Sequence, residues 1–332
     1  MKRPQKKPAT TGTDIFPILL VSAVVLAYLC PAAGSGKGTF SLSGLANCGI
    51  SVIFFFYGLR LNSEKLRASF GNRRLHLLVH GSTFVLFPAL AWLLRPLFDY
   101  ENMPLWLGVF YLSALPSTVS SSVVMVSIAK GNIPAAVFNA SISSLAGVFI
   151  TPLWMSAALP NVSGGGFSQL GSIILKLIVQ VLLPVALGML LNRKCGSFAE
   201  KHKRTLGMFD QTVILLIVYT SFCTSFDHHV FDEFSTFSLV ACASGMMVLF
   251  FTVYGIITFA SRRLKLSRED TITAQFCGSK KSLVHGTAMS QVIFTGYSGT
   301  GVVLLPIMLY HALQLMIISA IASRKAMDTT DS

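Results

Sequence analysis

Residues 276–286 read F-C-G-S-K-K-S-L-V-H-G and lie between apolar stretches at 271–275 and 287–294. Two adjacent lysines inside a lipid-spanning helix cost a few kcal/mol each unless they meet water or polar partners. An ammonium in such a place can bind an anion, stand in for a coupling cation, or carry a proton. Gly278 and Gly286 bracket the lysines and weaken the helix. Ser279, Ser282 and His285 add polar groups between them. Neighbours on a helix point about 100° apart, so Lys280 and Lys281 serve different places. One is expected to enter a central cavity; the other snorkels or pairs with freed carbonyls.

A second polar stretch, L-P-S-T-V-S-S-S at 115–122, lies in the first half of the chain. Pro116 lacks a backbone donor and clashes with the preceding turn, so a helix breaks there. The groups freed by a break are tolerated in a membrane only where they are buried in protein or line a cavity. The hydroxyls of Ser117, Thr118, Ser120, Ser121 and Ser122 can cap the second half-helix or coordinate an ion. The N-terminus of that half-helix suits a carboxylate or another anion. The plainer reading is a packing kink with small residues at a helix interface. Asn139, Ser141, Ser143 and Ser144 follow in the next segment, as ligands facing the break or as glue between helices.

These stretches need a scaffold, and composition says which kind. Of 332 residues, 53% are hydrophobic and 12% are charged, about half the charged share of an ordinary globular domain. Several apolar runs reach the roughly 20 residues needed to cross a bilayer. The expectation is an all-α polytopic membrane protein. The net charge of +13 does not imply nucleic acid, because the basic residues fall almost entirely between apolar runs. Six scattered cysteines without a C-x-x-C pair favour neither a metal site nor a disulfide framework. The basic N-terminus before the first apolar run imitates a secretory signal, and is read as an uncleaved first helix.

Ten apolar segments can be counted, at about 15–32, 43–60, 75–97, 104–129, 134–158, 167–192, 209–226, 237–261, 269–294 and 302–322. The two broken ones are the fourth of each group of five, so the second group is inverted in the membrane, as in transporters built from inverted repeats. Charge tests the count independently. With ten spans, 21 of the 26 basic residues fall on one side, only Lys37 and Arg95 on the other, and Lys176, Lys280 and Lys281 inside segments. By the positive-inside rule both termini are cytoplasmic, and the chain is a single multi-pass domain of the cell membrane. Asn161-Val-Ser matches a glycosylation pattern on the opposite side.

Four motifs together carry a resemblance: P-S-T-V-S-S-S-V at 116–123, A-K-G-N at 129–132, T-P-L at 151–153 and C-G-S-K-K-S-L at 277–283. The chain resembles the bile acid:sodium symporter superfamily over essentially its whole length, within the branch of solute carrier family 10 member seven and its bacterial relatives. That resemblance implies a panel of segments 1, 2, 6 and 7, a core of segments 3–5 and 8–10, and broken segments 4 and 9 crossing at mid-membrane. It also implies sodium as coupling ion, with Ser121, Ser122, Asn139 and Ser143 as counterparts of the family's ligands on segments 4 and 5. Segment 9 departs from the pattern. Phe276 stands at the Glu position, Lys280 at a Gln position, and Thr83 in segment 3 at another Gln position. Without the carboxylate and with a lysine beside it, two-sodium coupling is in doubt, and a fixed ammonium in place of a sodium is the alternative.

The expected function is a secondary transporter of a small organic anion in the lipid bilayer, coupled to sodium, to protons or to nothing, with no other cofactor. A cation/proton antiporter normally needs membrane aspartates, and none is placed centrally. An enzyme is disfavoured: there is no H-E-x-x-H, no aspartate pair and no G-x-S-x-G. A regulatory membrane protein without flux is the third class. His80, His285 and His311 are relay candidates or interhelical hydrogen-bonding groups. The substrate and the oligomeric state are not legible.

Overall fold

The structure is a computed structural model and describes residues 15–34, 42–60, 72–158 and 170–327. Lys2, Arg3, Lys6, Lys7, Lys37, Lys65, Arg67 and the Asn161 pattern lie outside the described residues, as does the Ser120 side chain. Every described regular element is helical. The longer ones, in chain order, are α1 (Ile15–Leu29), α2 (Leu42–Arg60), α3 (Arg73–Leu97), α4 (Met103–Ala114), α5 (Ser120–Ile128) and α6 (Ile133–Ala158). Then come α7 (Leu175–Lys201), α8 (Lys203–Asp227), α9 (Thr236–Arg263), α10 (Arg268–Gly278), α11 (Leu283–Ile293) and α12 (Thr300–Met327).

Among them α3, α6, α7, α8, α9 and α12 are each long and apolar enough to cross a membrane. The chain is a polytopic membrane protein. Its outer faces agree with that setting: Leu77, Leu93, Leu190, Phe237, Val248 and Met316 are all exposed, on helices whose opposite faces form the core. Water would penalise that arrangement and hydrocarbon does not.

Local chemistry sets the helix ends that matter for the site. Asn72, Asn132, Ser267 and Ser282 each accept a main-chain N–H in the first turn of α3, α6, α10 and α11 respectively. Proline enters α3 differently. Residues 82–86 form one π-turn, in which the Phe87 N–H reaches the Ser82 carbonyl, and Pro88 follows with no N–H to offer. The Thr83 carbonyl thereby loses its donor on the helix.

Packing falls along two sets of neighbours. α2 lies against α7, and α8 against α1 and α2; α4 lies against α12, and α10 against α3 and α9. α8 then meets α11 and α12, where Ser225 and Ser221 hydrogen-bond to Ser298, Gly301 and Gln291.

Candidate functional site

The two polar stretches are breaks, and the breaks interlock. α4 ends at Ala114 and α5 starts at Ser120, while α10 ends at Gly278 and α11 starts at Leu283. Ser282 N donates to the Pro116 carbonyl (2.9 Å), and Ser117 Oγ donates to the Cys277 carbonyl (2.6 Å). A longer bond runs from Ser122 Oγ to the Phe276 carbonyl (3.4 Å). The groups freed by each break are therefore largely satisfied by the other, which is how non-helical backbone survives away from water.

Helices following each break complete the job. In the first half, Ser117 N donates to Ser143 Oγ (2.9 Å), and Thr151 Oγ1 donates to the Ala114 carbonyl (2.8 Å). In the second, Tyr310 Oη donates to the Ser279 carbonyl (2.7 Å), and Gln314 holds the main chain of Lys281. Close approach is needed at both places. A Cβ on Gly147 would stand 2.8 Å from the Pro116 ring, and one on Gly278 would stand 2.6 Å from Ser82 Oγ.

Both lysines are buried, so neither snorkels. Lys281 Nζ donates to the carbonyls of Thr83 (2.7 Å), Ser113 (2.6 Å) and Leu115 (2.8 Å), and lies 4.2 Å from the centroid of the Phe87 ring. Lys280 Nζ donates to Ser121 Oγ (2.7 Å) and makes no second hydrogen bond among the described residues. Ser121 is in the first turn of α5, whose N-cap position is Val119 and which starts with no side-chain cap. A buried cation thus faces the positive end of a helix dipole, an arrangement that favours an anion between them.

The other expected residues divide. Thr118 Oγ1 is 2.9 Å from both Ser121 Oγ and Ser122 Oγ, so these hydroxyls form one cluster beside Lys280. Ser279 Oγ turns back to the Gln275 carbonyl, and Ser282 caps α11 and meets His285 Nδ1 (2.9 Å). Asn139 is turned to His76 (3.0 Å) and to the Ala135 carbonyl. Thr83 joins the site through its main-chain oxygen; its hydroxyl donates to the Val79 carbonyl. His311 meets Gln314, and both ring nitrogens of His80 lack a partner among the described residues.

The expected sodium ligands are engaged with one another and with their neighbours: Ser143 Oγ accepts from Ser117 N, Asn139 is turned to His76, Ser122 meets Thr118, and the Lys280 ammonium touches Ser121. No carboxylate joins them: of the described acids, Asp210 pairs with Arg60 (3.0 Å) and Asp270 binds Asn132 and Asn72 near the start of α10.

Sequence reasoning missed Gln314, Tyr310, Phe87 and the Asp270 group, and singled out Thr151 only as part of a motif, without its role. Gln314 was findable as an amide in an otherwise apolar run, and Pro88 as a source of a free carbonyl. Nothing marked Phe87 or Tyr310 among the other aromatic residues.

Residues 14–327 match the SBF-like CPA transporter family. The chain belongs to this family. It is 38% identical to an uncharacterized protein of Pseudomonas aeruginosa, over 100% of this chain and 97% of that one. It is also 38% identical to YfeH of Escherichia coli, over 94% and 92% of the two chains. Sodium/bile acid cotransporter 7-B of Xenopus laevis is 30% identical, over 91% of this chain and 88% of its own. The membership makes this a transporter, in line with the resemblance carried by the four motifs.

Proposed function

We propose that the chain is a secondary transporter of a small organic anion, working by alternating access, with the anion seated between Lys280 and the first turn of α5. The observation that carries this reading is the contact of Lys280 with Ser121. An anion there would satisfy a buried ammonium and an uncapped helix start together, and Thr118 and Ser122 would supply hydroxyls beside it. The position suits a carboxylate.

The architecture proposed with it has ten spans in two inverted repeats of five. α4–α5 and α10–α11 are the broken fourth and ninth spans, crossing at mid-membrane. Equivalent help to each break from the next helix, Thr151 on α6 and Gln314 on α12, supports the repeat. α1, α2, α7 and α8 form the panel and the rest the core. Charge along the sequence supports cytoplasmic termini and a place in the cell membrane.

Coupling to sodium is what the names of the cotransporter relatives would suggest, and the ammonium at Ser121 argues against it. The alternatives are proton coupling or an uncoupled carrier. The test of the anion site is thermal unfolding of the purified protein against a panel of mono- and dicarboxylates. Ligand at 100 times its dissociation constant stabilises by about 2.7 kcal/mol. A saturable rise with at least one carboxylate, lost in Lys280→Met, is expected; a parent protein indifferent to every anion overturns the reading.

A further inference from the structure

Lys281 differs in kind from Lys280. An ammonium has three protons, and here each goes to a main-chain carbonyl: Thr83, Ser113 and Leu115 at 2.6–2.8 Å. No carboxylate among the described residues is bonded to it, and the Phe87 ring centroid lies 4.2 Å from Nζ.

Each oxygen is available for a reason that does not involve Lys281. The Thr83 carbonyl is freed by the π-turn and by Pro88, as described above. Ser113 and Leu115 lie at the C-terminal end of α4, where the helix stops, and Pro116 offers no N–H three residues beyond Ser113. That end carries the negative pole of the α4 dipole. Two helix irregularities, far apart in sequence, thus bring three carbonyl oxygens and an aromatic ring to one point. Convergent carbonyls without a formal negative charge are how proteins replace the hydration shell of a monovalent ion.

We propose that these groups form a monovalent-cation site and that the Lys281 ammonium is its built-in occupant. The site is filled by a charge that is covalently part of the break between α10 and α11 and cannot exchange with solvent. It also divides the labour of the two lysines: Lys281 is the fixed cation, and Lys280 is left for ligand. The proposal rests on the carbonyl geometry and not on the anion reading, so either can fail alone.

The experiment uses the full chain with Lys281→Ala, which removes the ammonium and its stem and leaves the three carbonyls open to a small cation. Thermal unfolding is followed, without added carboxylate, in matched chlorides of choline, sodium, potassium, ammonium and methylammonium. Choline is too large to enter and gives the baseline. The expected result is a lowered midpoint in choline that rises saturably in ammonium, and in potassium of similar radius, regaining at least half of the loss. The parent shows no such selectivity. Lys281→Met keeps the stem without the charge, so its midpoint is lowered and indifferent to all five salts. Equal midpoints for Lys281→Ala in choline and ammonium overturn the proposal. So does an ammonium response of equal size in Lys281→Met, which would place the effect elsewhere. Failure of Lys281→Ala to fold in every salt also overturns it, because a free cation must then be unable to complete the site.

Discussion

The side chain of Gln314 pairs in both directions with the main chain of Lys281. Lys281 N donates to Gln314 Oε1 (2.8 Å), and Gln314 Nε2 donates to the Lys281 carbonyl (2.8 Å). The amide thus replaces two hydrogen bonds that the break after α10 removed, and does so from α12. It also fixes the direction in which Lys281 leaves the main chain. Gln314→Leu keeps the size and leaves both main-chain groups buried without partners, at about 1–3 kcal/mol each. The expected outcome is a drop of several degrees in the unfolding midpoint, with Gln314→Glu also destabilised because it loses the Nε2 donor. An unchanged midpoint in Gln314→Leu would show that water or another side chain takes over the pair.

A single carboxylate ties three helix starts together. Asp270 accepts from Asn132 Nδ2 (2.8 Å) and from Asn72 Nδ2 (2.5 Å), while the same asparagines cap α6 and α3 through their Oδ1 atoms. Asp270 itself lies in the first turn of α10, where the dipole favours a negative charge. Asp270→Ala is therefore expected to cost about 2 kcal/mol, more than a simple surface substitution. A double-mutant cycle with Asn132→Ala should give a coupling of about 0.5 kcal/mol or more. Additive effects of the two substitutions would mean that the clamp contributes nothing beyond the two caps.

Much of this was legible in the chain, and the reasons are physical. Proline at 116 and glycine at 278 disrupt helices by main-chain chemistry alone, so both breaks could be placed to within a few residues. Long apolar runs marked the helices for the same reason: hydrocarbon demands them. What could not be read was direction. Lys280 and Lys281 are equivalent as sequence, and only the fold decides that one meets a serine and the other three carbonyls. Thr83 was expected only as the residue at a Gln position of the family and contributes its main chain, because the consequence of Pro88 five residues later depends on the π-turn. Asn139 shares a polar segment with Ser143, yet the two serve different neighbours, His76 and Ser117.

Sodium should be without specific effect on the parent protein, since an ammonium occupies the hydroxyl cluster where an ion would sit. Lys280→Gln removes that charge and returns an amide oxygen to the position. A saturable stabilisation by sodium over choline is then expected to appear in the variant alone. A sodium response in the parent would restore sodium symport as the leading coupling. A flat response in both would mean that replacing the charge is not enough without a carboxylate at Phe276.

Alternating access makes a demand on Lys280 that a regulatory protein without flux does not share. The site must open to each side of the membrane in turn, although in this structure Lys280 is buried. A cysteine at position 280, in a background lacking the six native cysteines, reports this directly. Membrane-impermeant thiol reagents applied to oriented vesicles should label Lys280→Cys from both faces. The tested carboxylate that stabilises the parent should have no protective effect in this variant, because the ammonium that holds it is gone. Ser121→Cys, which keeps Lys280, should be labelled from both faces and protected by that carboxylate. Labelling of both variants from one face only, or from neither, would remove alternating access and leave a membrane protein whose buried lysine serves structure or signalling.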